Sequence, residues 1–407
     1  MSYIEDVNIQ EQDTGNIDAF GRKRVSQVTT QFDMKQIHDN LPLFVDTVTN
    51  GTATSTHSTT EAHSALTTTS NGDWVKSQTK QKFNYQSGKS QLIFLTCNNF
   101  GSDGDGVTKR IGYFSSSTTT PFTADLDGLF IQSDNSGVSI NAYKTGTLIS
   151  QVYQSSWNID KLDGTGKSGI TVDWDKNIIF IIDFEWLGVG RVRFGCVIDG
   201  LIYYFHNSNA ANNITGVYMS SPNHSLRWEL IQTGSIAGTF NFICGSVNSE
   251  GGLNKLGKIL SSNVGTNFIN ANNTSTVYAL IGIRLQSAKS DTLIDLLDFS
   301  VLSATNDNQL IEAWLNPTIA GTFTYSNVTN SSVQVALGAT NGSNTVTNGT
   351  RLFSKYIAAK SAPSMSIENA IRLGCSMAGV LDTIVLTTRP LTSNSDVYGG
   401  ISWRELA

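Results

Sequence analysis

Two carboxylates in one predicted strand are the residues of this chain best suited to chemistry. Asp183 and Glu185 occupy alternate positions in the run IIDFEWLG, residues 181–188, and Trp186 follows them. Side chains two residues apart on a strand share one face, so both carboxylates point the same way. Such a pair could act as a general acid and base, or it could hydrogen-bond a sugar that stacks on the indole. Asp183, Glu185 and Trp186 are therefore the candidate glycan contacts.

The same run resembles the strand motif of the family sixteen glycoside hydrolases. These enzymes are concanavalin-like jelly rolls, and their pattern is Glu-x-Asp-x-Glu, often continued by an aromatic residue, Leu and Gly. The assisting Asp and the acid/base match Asp183 and Glu185, but the nucleophile position is Ile181. A retaining glycosidase needs its nucleophile about 5 Å from its acid. The resemblance therefore implies a concanavalin-like sandwich without hydrolase activity.

A second run, GTGKSG at residues 164–169, looks like a phosphate-binding loop. A P-loop needs a glycine five residues before its GK[ST] glycine and a helix after it. Here that position is Lys161, and the following residues, ITVDW, alternate like a strand. We interpret the run as a glycine-rich turn, and we expect no nucleotide or other cofactor.

Clustered carboxylates also occur in GSDGDG, residues 101–106. An EF-hand needs a twelve-residue spacing that ends in Glu, and this spacing is absent. Asp103 and Asp105 are interpreted as turn residues, with calcium as the alternative. We predict no metal site elsewhere.

The composition is typical of an extracellular or virion β-protein. Charged residues make up 15% of the 407 residues, Ser, Thr, Asn and Gly are abundant, and Pro numbers 6. The net charge of −6 provides no basic face, so nucleic-acid binding is not expected. The polar, acidic start does not resemble a secretory leader, and no apolar run approaches the ~18 residues of a membrane span. We therefore expect no membrane association.

A hairpin follows the strand that carries the carboxylates. Asp199 and Gly200 tolerate positive φ and predict a type I′ turn between strands at residues 191–198 and 201–206. A two-residue turn predicts three opposed pairs, namely Ile198 with Leu201, Cys196 with Tyr203, and Phe194 with Phe205.

Strand patterns recur about every 8–12 residues on both sides of a glycine-containing hinge at residues 249–257. This rhythm predicts an all-β fold of two jelly-roll or concanavalin-like β-sandwich domains, preceded by an extended N-terminal arm. The predicted boundaries are residues 1–30 for the arm, 31–250 for the first sandwich and 251–407 for the second.

The arm is too polar to bury itself, so we expect a partner to order it or a strand of it to pack on its own domain. In its one patterned piece, residues 17–26, a lone aromatic precedes a glycine and two arginines that project together if the chain is extended. The candidate attachment residues are Asp18, Phe20, Gly21, Arg22 and Arg24.

Several long motifs resemble those of bacteriophage virion proteins of unassigned role. Such proteins open with DAFGR-x-RVS, continue through TxFD…K and GKSQL, and carry WNIDKLDGTG-x-SGITVD and WLGVGRVRFG. The matching stretches here are residues 18–26, 31–35, 88–92, 157–173 and 186–195. The resemblance spans the arm and the first sandwich and implies a structural component of a phage virion.

The leading hypothesis is a non-enzymatic virion structural protein of a tailed bacteriophage, such as a capsid decoration, head fibre or neck/tail component. The arm would bind other virion proteins, and we expect a homo-oligomer, first of all a trimer. No enzyme is expected, because the histidines are scattered and the carboxylate motif lacks its nucleophile. The alternative is an adhesin of the tail or fibre that binds a host surface glycan, and the second alternative is a glycoside hydrolase.

Overall fold

The computed structural model describes residues 14–116, 125–366 and 372–406, and it is built almost entirely from antiparallel strands. The predicted all-β fold class is confirmed. The described helices are single 3₁₀ turns at Gln154–Ser156 and Ser287–Lys289, and neither could cross a membrane.

The chain divides into two compact units after Asn254, and the second unit begins at Lys255. This division falls inside the hinge predicted at residues 249–257. Gly251 and Gly252 both have positive φ there (104° and 81°), a conformation that suits glycine.

Fifteen strands form the first unit. In chain order they are β1 Val28–Lys35, β2 Val45–Asn50, β3 Thr54–Ser58, β4 His63–Thr68, β5 Trp74–Thr79, β6 Ser90–Asn98, β7 Val107–Ser115, β8 Asp127–Asp134, β9 Gly137–Lys144, β10 Thr147–Tyr153, β11 Ile178–Phe184, β12 Arg191–Ile198, β13 Leu201–Asn209, β14 Leu226–Gln232 and β15 Gly238–Glu250.

These strands make two antiparallel sheets that pack face to face. The first sheet has the order β13-β12-β11-β6-β15-β4-β3, with β1 also paired to β15. The second sheet has the order β10-β9-β8-β7-β14-β5-β2. Their inner faces share one core, in which Trp228 of the second sheet stacks on Phe242 of the first with ring centroids 3.8 Å apart.

Residue alternation explains the two faces of each sheet. In β14, Leu226, Trp228 and Leu230 enter the core, and the charged Arg227 and Glu229 lie on the outer face. This period of two is the pattern that a half-buried strand requires.

The second unit contains thirteen further strands. They are β16 Gly257–Asn263, β17 Ile269–Ala271, β18 Tyr278–Leu285, β19 Leu293–Ser303, β20 Gln309–Leu315, β21 Thr318–Ile319, β22 Ser326–Asn327, β23 Val333–Leu337, β24 Val346–Thr347, β25 Thr350–Ile357, β26 Ser364–Ser366, β27 Thr383–Pro390 and β28 Ser395–Leu406.

Two antiparallel sheets again enclose a core of their own. One has the order β16-β28-β19-β26, with β17 also on β28, and the other has the order β22-β23-β18-β27-β20-β25. Trp403 of the first and Ile283 of the second belong to one buried cluster. β21 and β24 form a separate two-stranded pair.

The predicted hairpin is present, with one change of register. Ile198 lies opposite Leu201 and Cys196 opposite Tyr203, but Phe194 lies opposite His206 instead of the predicted Phe205. A β-bulge inserts one extra residue in β13 at this point. The bulge sends Phe205 into the core and leaves the preceding Tyr204 in a small cluster on the outer face.

The GTGKSG run forms a turn, as predicted. Its flanks meet in a β-bridge between Asp163 and Thr171, and Gly164 has φ +85°. ITVDW, whose alternation suggested a strand, forms no strand beyond the bridge at Thr171, and the chain continues without a helix. The backbone therefore lacks the helix N-terminus that a P-loop uses.

The separate cores predict separate unfolding. Replacing a buried Trp by Ala costs about 3–5 kcal/mol. We expect Trp228→Ala to lower the midpoint of one calorimetric transition and Trp403→Ala that of another. A single transition that both variants shift alike would contradict two cooperative units.

Candidate functional site

Asp183 lies near the end of β11, on the outer face of the first sheet, and is fully buried. Its Oδ1 accepts a hydrogen bond from the Ser90 hydroxyl at 2.7 Å. Its Oδ2 accepts from the Tyr204 hydroxyl at 2.8 Å and forms ion pairs with Arg24 and Arg193. A buried carboxylate needs such partners, because an unpaired charge away from water is strongly unfavourable.

Arg24 joins Asp183 to a second buried carboxylate. One guanidinium nitrogen, Nη2, lies 2.6 Å from Asp183 Oδ2, and Nε lies 2.6 Å from Glu250 Oε1. Burial acts to lower the pKa of Arg24, but its acidic neighbours outweigh burial and raise it. We call the group Ser90, Asp183, Arg193, Tyr204, Glu250 and Arg24 the Asp183 network.

Desolvation shapes the protonation of the other members. Burial raises the pKa of Tyr204, and the Asp183 charge raises it further. The phenol therefore stays neutral and donates its hydrogen bond. Burial also raises the pKa of Glu250, and the hydrogen bond from Arg24 opposes this effect.

The motif DAFGR forms a tight turn that lies on the sandwich. Asp18 accepts from the Arg22 backbone amide at 2.8 Å and pairs with its guanidinium at 2.7 Å. The Gly21 amide donates to the Asp18 carbonyl, and Gly21 has φ +79°, which favours glycine. Ile17 and Ala19, which flank Asp18, are buried.

Two arginines of β12 hold this turn through its backbone. Arg191 Nε donates to the Ala19 carbonyl at 2.8 Å. Arg193 Nη2 donates to the Ile17 carbonyl at 2.5 Å, and its guanidinium lies 4.0 Å from the centre of the Tyr204 ring. The sequence motif RVR thus binds the sequence motif DAFGR.

Of the two alternatives for the arm, packing on its own domain is the one observed over residues 14–27. Arg22 and Arg24 do not project together. The chain reverses after Asp18, so Arg22 pairs with Asp18, whereas Arg24 pairs with Asp183. Asp18 and Arg24 are used inside the first unit, whereas Phe20 is half-buried and Gly21 and Arg22 are exposed. Residues 1–13 of the predicted arm lie outside the described residues.

The predicted glycan contacts have different environments. Asp183 is corrected as a contact, since no solvent reaches it. Glu185 is half-buried and accepts a hydrogen bond from the Arg191 amide at 3.1 Å, and burial raises its pKa. Trp186 is half-buried, and its indole nitrogen donates to the Met219 carbonyl at 3.2 Å.

In the run that resembles the glycosidase motif, the nucleophile position holds an apolar residue. Ile181 is completely buried and packs with Leu92 and Tyr204. Asp183, at the position of the assisting residue, has both oxygens occupied by protein donors. No nucleophile therefore faces Glu185 in the run that carries the resemblance.

A second group of buried charges lies on the outer face of the second sheet. Glu229 pairs in register with Arg110 on one side and Lys76 on the other. Its carboxylate lies 2.6 Å from Arg227 Nη2 and 3.5 Å from Arg110 Nη1. All four side chains are almost inaccessible to solvent.

Electrostatics explains how these charges coexist. Burial acts to raise the pKa of Glu229, but Arg227 and Arg110 outweigh burial and lower it. Burial lowers the pKa of Lys76 to about 8. Arg227 also donates to the Ser116 carbonyl at 2.8 Å, at the described start of the β7–β8 connection. These four side chains form a buried polar layer on that face.

Asp103 has protein partners. It forms an ion pair with the buried Lys109 at 2.9 Å and accepts from the Thr239 amide at 3.0 Å. Asp105 is exposed. Within residues 14–116, 125–366 and 372–406, no three His, Cys, Asp or Glu side chains are grouped to hold a metal.

The sequence reasoning missed Ser90 and Tyr204 as partners of Asp183, and Glu250 as a partner of Arg24. The alternation of β12 places Arg193 on the polar face of the sheet. Arg193 lies directly opposite Asp183 where β11 pairs with β12, and this pairing was the signal that could have identified their contact. Glu250 lies far away in the chain and reaches the network only because β15 extends to thirteen residues.

No family model and no curated protein matches the sequence. Among solved structures, the legume lectin-like domain from Entamoeba histolytica is 10% identical with a TM-score of 0.37, covering 55% of this chain and 98% of that domain. The beta-glucanase of Bacillus licheniformis is 12% identical with a TM-score of 0.33, covering 54% and 99%. The Emp47p carbohydrate recognition domain is also 12% identical at 0.33, covering 54% and 96%. Likeness at this level transfers no activity.

The Asp183 network predicts unequal roles for the two neighbouring arginines. Breaking a buried ion pair costs about 3–5 kcal/mol, whereas an exposed pair is worth about 0–1 kcal/mol. We expect Arg24→Met to lower the free energy of unfolding of the first unit by the larger amount. Arg22→Met should lower it by the smaller amount, because the Arg22 side chain is 52% exposed. Urea denaturation measures both, and equal losses would show that Arg24 is not an anchor.

Proposed function

We propose that this protein is a non-enzymatic structural component of a tailed-phage virion, such as a capsid decoration, head fibre or neck/tail protein. One observation carries the proposal: the motifs that resemble phage virion proteins bind one another. The DAFGR turn lies on Arg191 and Arg193 of the WLGVGRVRFG strand, and Arg24 completes the Asp183 network. Motif residues that contact one another in this way hold the fold together, which suits a structural protein better than an enzyme.

The state of the carboxylates supports a non-enzymatic role. Asp183 is saturated with donors, and the residue two positions before it is Ile181 in an apolar cluster. An acid such as Glu185 needs a partner group poised at the reacting bond. The run offers none.

The exposed side of the N-terminal segment is the surface we assign to other virion proteins. Val25 is 88% exposed and Val28 is 50% exposed, close in sequence to the half-buried Phe20. The exposed Arg22 guanidinium lies 4.5 Å from the centre of the Phe20 ring. An apolar surface beside a cation suits a protein partner. Phe20, Gly21 and Arg22 thus remain attachment candidates, whereas Asp18 and Arg24 position them.

A homo-oligomer, first of all a trimer, is part of the proposal. β10 lies at the end of its sheet and has no charged residue. Uncharged edge strands are surfaces on which a second copy can pair. Sedimentation analysis gives the number of copies.

Replacing the half-buried Phe20 and the exposed Val25 should remove the protein from particles. We expect the double variant Phe20→Ser with Val25→Ser to fold normally and to be incorporated at least about tenfold less, because the partner loses apolar contact area. The measurement is complementation of a phage that lacks the protein, followed by quantitative mass spectrometry of purified particles.

Leu201→Ser is the matched control, since Leu201 is 61% exposed at the tip of the β12–β13 hairpin. Its incorporation should equal that of the wild type. Equal incorporation of the double variant would exclude the N-terminal surface. Absence of the wild-type protein from purified particles would exclude the virion role itself.

A host-glycan adhesin is the second candidate, and an aromatic cluster in the second unit favours it. Trp314 lies on the outer face of β20, and the Arg351 guanidinium lies 4.8 Å from its ring centre. Phe323 and Tyr325 contact each other edge to face at 5.6 Å, and Arg284 lies over Tyr325. Half-buried aromatic rings with polar neighbours are the surfaces on which sugars stack.

The adhesin reading predicts binding without cleavage. Purified protein should bind a host surface polysaccharide, and Trp314→Ala should weaken binding at least tenfold, in line with the loss of a central aromatic contact of about 1.4 kcal/mol or more. Trp186→Ala is the matched comparison for the site predicted from sequence. If only Trp186→Ala abolishes binding, the contact lies in the first unit. Release of reducing ends that Glu185→Gln abolishes would instead establish a hydrolase.

A further inference from the structure

The first unit contains a cavity of about 230 Å³ that lies between its two sheets. It is formed where β10 of the second sheet and β13 of the first, each the last strand of its sheet, face one another. The residues that follow β13 line it as well, including Ile214 and Tyr218. The cavity belongs to neither the Asp183 network nor the N-terminal attachment surface.

Small residues at inward positions create this cavity. Ser208 pairs with the core residue Val192, and Ser150 pairs with the core residue Ala142, so both serines face inward. Larger apolar side chains at these places would fill the space between the sheets, as they do elsewhere in the core. The chain instead leaves a volume larger than the ~150 Å³ cavity that is known to accept benzene.

Besides Ser150, the polar side chains of His206 and Ser208 point into this space. His206 lies opposite Phe194, a core residue, and therefore points inward. Its Nδ1 accepts a hydrogen bond from the Asn158 amide at 3.3 Å, which leaves the proton on Nε2. The Ser208 hydroxyl oxygen is buried and has no hydrogen-bond partner among the described residues.

A buried hydroxyl without a partner is unfavourable by about 1–3 kcal/mol, so its position calls for a ligand group that satisfies it. Burial lowers the pKa of His206 to about 4, which keeps the imidazole neutral at neutral pH. None of the described residues that line the cavity is Asp, Glu, Lys or Arg. An ion would find no counter-charge there.

We propose that this cavity binds an uncharged, mainly apolar small molecule that carries one hydroxyl or carbonyl group, of the size of a substituted phenol. The apolar part lies between Leu129, Ile149 and Val192. The polar group exchanges hydrogen bonds with Ser208 and accepts from His206.

The experiment uses the full chain with p-cresol, toluene and benzoate as probes, followed by NMR of the histidine imidazole signals and by titration. We expect p-cresol to shift the His206 signals and leave the other histidines unchanged. Benzoate should bind at least about tenfold more weakly, because its charge would be buried without a partner.

Ser208→Ala separates the hydrogen bond from the apolar contact. It should weaken p-cresol binding about two- to tenfold and leave toluene binding unchanged, as expected for one hydrogen bond. Ser150→Leu, at a half-exposed position of an edge strand, should fill the cavity and abolish binding of both probes. Leu148→Ala, on the same strand but 46% exposed, is the matched control and should bind like the wild type.

Several results would overturn the proposal. One is that p-cresol causes no saturable shift of the His206 signals. Another is that Ser150→Leu binds both probes as the wild type does. A third is that Ser208→Ala weakens the binding of p-cresol and of toluene equally. A side chain of another virion protein found seated in the cavity of assembled particles would also overturn it, in favour of a protein contact.

Discussion

The burial of one carboxylate constrains the first unit. Asp183 has no contact with water, so its charge persists only if fixed donors replace its hydration shell. Four side chains provide those donors: Ser90 from β6, Arg193 from β12, Tyr204 from β13 and Arg24 from the N-terminal segment. Because the donors come from separate elements, the relative positions of three strands and the segment must be set together.

This constraint explains why motifs that lie far apart in the sequence contact one another in the fold. The DAFGR turn can lie on the sheet only where Arg191 and Arg193 offer donors to its carbonyl groups, and those arginines are held by the alternation of β12. Arg24 then bridges Asp183 and Glu250, which lies at the end of β15. A network of this kind fixes one arrangement of the chain, and its value for specificity is separate from its net contribution to stability.

Local patterns predicted the strands well and the long-range contacts poorly. The period of two in β11, β12 and β13 identified the strands, the turn at Asp199 and Gly200, and two of three opposed pairs. The bulge opposite Phe194 was not predictable, because it depends on how Phe205 packs against Trp157, 4.0 Å away between ring centroids. The polarity of the N-terminal segment left open whether a partner or its own domain orders it, since composition does not show that carbonyl groups will meet arginines far along the chain.

The positions open to binding follow from the same packing. In the middle of the sandwich, aromatic pairs such as Trp228 and Phe242 fill the space between the sheets. At the edge formed by β10 and β13, inward residues such as Ser150 and Ser208 are small and polar, and a cavity remains between the sheets. On the outer faces, one sheet carries the DAFGR turn and the other carries the buried charges around Glu229. The binding positions proposed for the first unit, its sheet edge and the exposed side of the N-terminal segment, are therefore places where no buried charge has to be disturbed for a partner to bind.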